Sequence, residues 1–149
     1  MKSTTLENSI RLFDYYKGLG EKAMTQINDD ALLWTPDPKS NSISLIVKHL
    51  HGNMISRWTD FLTTDGEKEW RNRDEEFVET IRSREEIICL WNEGWVCLFN
   101  TLHSLSEDDL SKTVYIRNMG QTVLDAIMRQ LAHYAYHIGQ IVYLARQLN

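Results

Sequence analysis

The chain has 149 residues, 42% of them hydrophobic and 25% charged, which suits one globular domain over residues 1–149 and excludes a disordered tail. Sixteen Lys and Arg against 21 Asp and Glu leave a net charge of −5, the wrong sign for a nucleic-acid binder or a protein drawn to an anionic membrane surface. No stretch approaches the roughly 18 apolar residues of a spanning helix, and Met1 to Ile10 holds no apolar run, so the expectation is a soluble, cytoplasmic protein without a signal peptide.

Leu6, Ile10, Phe13, Leu19, Ala23 and Ile27 recur at helical spacing and predict a first helix over about residues 5–28, with Ser3 to Thr5 supplying the cap. Both prolines, Pro36 and Pro38, break the chain before Asn41 and Ser42, good caps for a second helix. Its stripe runs Ile43, Ile46, Val47, Leu50, Met54, Trp58 and Phe61, and Asp65-Gly66 should end it. Residues 67–76 are charge-rich around Trp70 and read as a long exposed crossover, with Trp70 as a candidate interface residue. Ser83 and Glu86 form a capping-box pattern for a third helix, whose core face is Ile87, Ile88, Trp91, Trp95, Leu98, Phe99 and Leu102. Cys89 and Cys97, eight residues apart on that helix, are about 12 Å apart along its axis. That is too far for a disulfide, and they are expected as buried small hydrophobes. A loop or single turn over Leu105–Leu110 and an extended Thr113–Ile116 lead to a last helix from about Gly120 to Leu148. The pattern predicts an all-α four-helix bundle with a long crossover connection between helices 2 and 3.

Five histidines occur. His133 and His137 are spaced i,i+4, which turns both imidazoles to one side of the last helix, close enough to share a metal. Gln130 and Gln140 continue their ridge and are candidates to orient the rings. Gly139 beside them suggests close approach of another element. A third ligand must come from elsewhere, and the second helix offers His49 and His51; periodicity slightly favours His51, which lies nearer the apolar stripe. Three neutral imidazoles leave an open position of the catalytic type. No His follows a Glu by three residues, and H-E-x-x-H, G-x-S-x-G and phosphate-loop patterns are missing, so di-iron, zincin, serine-hydrolase and nucleotide chemistries are excluded. Arg57, Arg71 and Arg73 could bind carboxylates of a cofactor, the alternative being ion pairs with Asp60, Asp74 or Glu75.

His49-Leu50 together with His133-x-x-x-His137-Ile-Gly-Gln140 resembles the DinB-like, or YfiT-like, superfamily of metalloenzymes. The strings Asn41–Leu50, Ser56–Lys68 and Arg71–Asp74 look like one bacterial branch of it, and the likeness spans about residues 5–148. The resemblance implies a four-helix bundle holding a divalent ion, zinc or nickel, on His49, His133 and His137, with His49 preferred over His51 because it precedes the Leu of the family's His-Leu step. It further implies a thiol-dependent S-transferase or isomerase acting with a low-molecular-weight thiol on a small electrophile, in a homodimer. Hydrolysis by a metal-activated water, or a non-catalytic homodimeric binding bundle, are the competing expectations.

Overall fold

The computed structural model describes residues 4–149. Helix α1 spans Thr5–Thr25. The Thr4 hydroxyl accepts from the Glu7 amide at 3.1 Å and the Glu7 carboxylate accepts from the Thr4 amide at 2.8 Å, a reciprocal cap that satisfies two otherwise orphaned donors. Ser3, the other expected cap, lies outside the described residues. α1 stops three residues short of the expected 28: Asn28 turns the chain, its side-chain oxygen accepting from the Ala31 amide, and a 3-10 turn at Asp30–Leu33 buries Ala31 and Leu32.

Helix α2 spans Ile43–Trp58, capped by the Ser42 hydroxyl on the Leu45 amide. It ends well before Asp65. Thr59 is extended and Asp60 takes a left-handed φ of 47°, which no helix continues through. The Asp60 carbonyl then accepts from the amides of Thr63 and Thr64, and this turn, rather than a further helical turn, carries Phe61 into the core. Helix α3 spans Arg84–Ser104 behind the Ser83 cap, as the capping-box pattern predicts.

Strands β1 (Thr113–Ile116) and β2 (Met119–Thr122) pair antiparallel, with Tyr115 opposite Gly120. Arg117 and Asn118 both have positive φ, 52° and 62°, the conformation a two-residue hairpin turn requires. Residues 120–122, assigned to the last helix by sequence, are therefore strand. Helix α4 begins at Val123, where the Thr122 hydroxyl accepts from the Asp125 amide, and runs to Leu148. The fold is an all-α four-helix bundle carrying one small hairpin among the described residues. No described helix is long and apolar enough to cross a membrane.

Each helix contributes one aromatic to the centre: Phe13, Trp58, Trp95 and Tyr134 are all at most 1% exposed. Phe13 meets Trp58 edge-on at 6.3 Å and Tyr134 at 5.9 Å; Trp95 meets Tyr134 at 6.1 Å. Edge-to-face packing of this kind adds to the area buried, of order 1 kcal/mol per pair. Two of the three polar tips are satisfied in line: Trp58 Nε1 donates to Tyr134 Oη at 3.0 Å, and Tyr134 Oη donates to Asn53 Oδ1 at 2.6 Å, while Trp95 Nε1 is buried without a partner among the described residues. Trp91 packs over Gly20, where a Cβ would lie 2.5 Å from its ring, and donates from Nε1 to Glu21. Trp58, Trp91 and Trp95 are thus core residues, and Trp70 is exposed. Cys97 is half-buried, its thiol pushed up by burial, whereas Cys89 faces solvent, contrary to its expected burial.

Candidate metal centre

Helix α4 sets His133 and His137 one turn apart on the flank facing α2. Their Nε2 atoms are 3.0 Å apart. His49, buried on α2, points its own Nε2 at His133 Nε2 from 3.3 Å. The ligand atoms of all three residues lie within 4.8 Å of one another, so the three histidines are positioned to hold a metal ion. His51 is not part of this group. It sits on the side of α2 that faces α3, where its Nε2 meets Glu93 Oε2 at 2.9 Å. Two residues along a helix is about 200°, so His49 and His51 cannot face one cleft together. His103 stacks on Phe99 at the end of α3, away from the cluster.

The outer nitrogen of each ring meets a side-chain oxygen. His49 Nδ1 donates to Glu76 Oε1 at 2.9 Å, His137 Nδ1 donates to Gln140 Oε1 at 2.8 Å, and His133 Nδ1 reaches Gln130 Oε1 at 3.4 Å. A carboxylate can only accept, so His49 carries a proton on Nδ1, and Nε2 is the ring nitrogen turned toward His133. The side-chain oxygens of Gln130 and Gln140 face Nδ1 of His133 and His137 in the same way, so all three rings turn Nε2 toward one point, where a cation would accept a lone pair from each neutral ring. Burial, reinforced by His137, His49, Arg57 and Arg71, pushes His133 down to about 3. Burial likewise lowers His137, against the Gln140 hydrogen bond. Both rings are therefore neutral at pH 7, the form a metal requires.

Glu76 comes from the connection between α2 and α3, which sequence reading makes exposed. Most of residues 67–76 are exposed, but the segment folds back onto α2 through a 3-10 turn at Asp74–Phe77, leaving the Glu76 side chain 7% and the Arg71 side chain 3% exposed. Arg71 grips Glu76 with two hydrogen bonds, Nε to Oε2 at 2.8 Å and Nη2 to Oε1 at 2.9 Å. Burial opposes the Glu76 charge, but the bonds from Arg71 and His49 outweigh it and hold the carboxyl below its ordinary range. Gly52 makes the approach possible, because a Cβ there would fall 2.1 Å from Glu76 Oε2. Gly139, by contrast, faces open space. Phe77 stacks on the His49 ring at 5.0 Å.

The arginines pair differently from expectation. Arg57 and Arg71 pair with Glu67 and Glu76 rather than with Asp60, Asp74 or Glu75, while Arg73 makes no ion pair among the described residues. A cavity of about 410 Å³ opens onto His49 and His133, and Arg57, Arg71 and Arg73 line it. Sequence reading missed Glu76, Arg117 and Arg129. Arg117 enters through the hairpin, which is fastened to the connection: Asp65 accepts from the amides of Arg117 and Asn118, both at 2.9 Å, and the Gly66 amide donates to the Tyr115 carbonyl at 2.8 Å.

Among known proteins, the family model described as protein of unknown function DUF1572 matches residues 1–149, and the chain belongs to that family. A crystal structure described as the conserved protein of a locus from Enterococcus faecalis shares the fold, with a TM-score of 0.74 over 99% of this chain and 98% of that one, at 17% identity. No curated protein matches the chain.

Proposed function

We propose that this member of the DUF1572 family is a metal-dependent enzyme of the DinB-like kind, holding one zinc or nickel ion on His49, His133 and His137. One observation carries the reading: three Nε2 atoms converge while each ring's other nitrogen is held by Glu76, Gln130 or Gln140. That is how metal-binding imidazoles are ordinarily supported, by partners that fix the tautomer and the ring plane. All-imidazole donors suit zinc or nickel and are poor ligands for magnesium or calcium.

When bound, a divalent ion here lowers the pKa of a thiol or water that joins it and so supplies a nucleophile at neutral pH. The chain's own groups do the rest. Glu76, kept ionised by Arg71, strengthens His49 as a donor. The cavity beside His49 and His133 admits a small molecule. The fused hairpin and connection shield the site on one side. Transfer of a low-molecular-weight thiol to a small electrophile is the reaction that fits, by resemblance to DinB-like proteins; water as the nucleophile makes the same site a hydrolase. The resemblance adds a homodimer to the proposal, which sedimentation of the pure protein tests.

The reaction is tested by following loss of a small thiol in the presence of a model electrophile, with zinc- or nickel-loaded protein. A rate above background that vanishes in His133→Ala supports the transferase. A rate equal to background with every thiol, beside metal-dependent ester cleavage, replaces it with the hydrolase.

A further inference from the structure

Five guanidinium groups line the 410 Å³ cavity next to the three histidines: Arg57, Arg71, Arg73, Arg117 and Arg129. No Asp or Glu lines it. The carboxylates that pair with these arginines lie behind the wall and number two. Glu67 contacts Arg57, Arg71 and Arg117, and Glu76 contacts Arg71. Two negative charges against five positive ones leave three uncompensated, in a protein whose net charge is −5. Such concentration is costly unless something occupies it, because like charges in one cleft repel more strongly than they would in open water.

The arginines are also aimed rather than scattered. They come from α2, the connection, the hairpin turn and α4, so chain segments distant in sequence meet at one opening. Arg57 is held by the Gly66 carbonyl, at 2.6 Å from Nη1, and by Glu67, which fixes its fork. Among the described residues its Nε is buried without a partner, Arg73 has no carboxylate partner, and Arg129 has only the Gln121 side-chain oxygen at 3.3 Å. The neutral donors Asn53 and Gln130 complete the wall.

We propose that this cavity is the binding site for a small ligand carrying at least two carboxylates, seated on the arginine fork with its reacting end toward His49 and His133. Guanidinium matches a carboxylate with two parallel hydrogen bonds, and several such forks around one opening select for charge number as well as sign. The volume admits a small metabolite. The ligand's orientation rests on the metal reading above; the anion subsite rests only on the arginines.

The test is calorimetry of the full-length chain with succinate, and with succinamide as the uncharged molecule of the same size. Arg73→Gln and Arg129→Gln remove exposed side chains and leave the fold intact. Each should weaken succinate about tenfold, the loss of one charge-assisted hydrogen bond, with zinc uptake unchanged. Arg146→Gln, which removes the same charge near the far end of α4, should change neither. His137→Ala, at a ring that does not line the cavity, should lose zinc and keep succinate. Succinate binding that depends on Arg73 and Arg129 in a chain that takes up no zinc would sustain this proposal and sink the metal centre. No succinate binding, equal binding of succinamide, or equal losses in Arg146→Gln would overturn it.

Discussion

Glu76 accepts a hydrogen bond from His49 Nδ1 at 2.9 Å across 27 residues of sequence, and it can do so because residue 52 has no side chain. Gly52→Ala would place a Cβ 2.1 Å from Glu76 Oε2 and drive the carboxylate off both His49 and Arg71. Zinc affinity should fall about tenfold or more, the usual effect of losing the partner behind a metal-bound imidazole. Stability should fall by about 1–3 kcal/mol. Calorimetry and urea denaturation read the two separately.

Glu76 has a structural as well as an orienting role, and the two can be separated. Glu76→Leu leaves the buried Arg71 guanidinium with only its longer contact to Glu67, 3.4 Å from Nη1, at a cost of about 1–3 kcal/mol. Adding Arg71→Met replaces the pair by apolar groups and should restore most of that stability. Zinc affinity should stay low in the double variant, since nothing then holds His49. Recovery of both would assign Glu76 to stability alone.

The Trp58–Tyr134–Asn53 chain lies beside the site. Tyr134→Phe removes the acceptor for Trp58 Nε1 and the donor to Asn53 Oδ1, both buried. The loss should be about 1–3 kcal/mol in urea denaturation. Zinc stoichiometry should not change, because Tyr134 offers nothing to the three Nε2 atoms.

Much of this was legible in the chain. The stripes on the four helices and the Ser42, Ser83 and Thr4 caps place the helices, because burial and capping are local in sequence. The His133 and His137 pair follows from helical spacing alone. His49 does not: periodicity leans to His51, and only the resemblance to DinB-like proteins favours the residue that the structure places in the cluster. Boundaries failed where tertiary ties decide. Asp60 ends α2 through a left-handed turn, and Asp65 fastens a hairpin more than 50 residues away. Glu76 was hidden for the same reason. A charge-rich run looks solvated until Arg71 and His49 are seen to satisfy it.

The depressed histidines predict an acid-labile metal-free state. His133 titrates at about 3 when folded, against the ordinary 6.5, and His137 is also lowered. Between those values the unfolded chain binds more protons than the folded one, so stability is full above about pH 6.5 and falls as pH drops toward 3. The urea midpoint with chelator present should decrease from pH 7.5 to pH 5, and His133→Gln should flatten that slope. An equal slope in the variant would place the titrating group elsewhere.

Zinc titration of the untagged chain by calorimetry, across four single variants, tests the centre most directly. The structure predicts one ion per chain, with uptake abolished or strongly weakened in His49→Ala, His133→Ala and His137→Ala and unchanged in His51→Ala. Uptake that survives His49→Ala but is lost in His51→Ala, or no uptake by the wild-type chain, would contradict it.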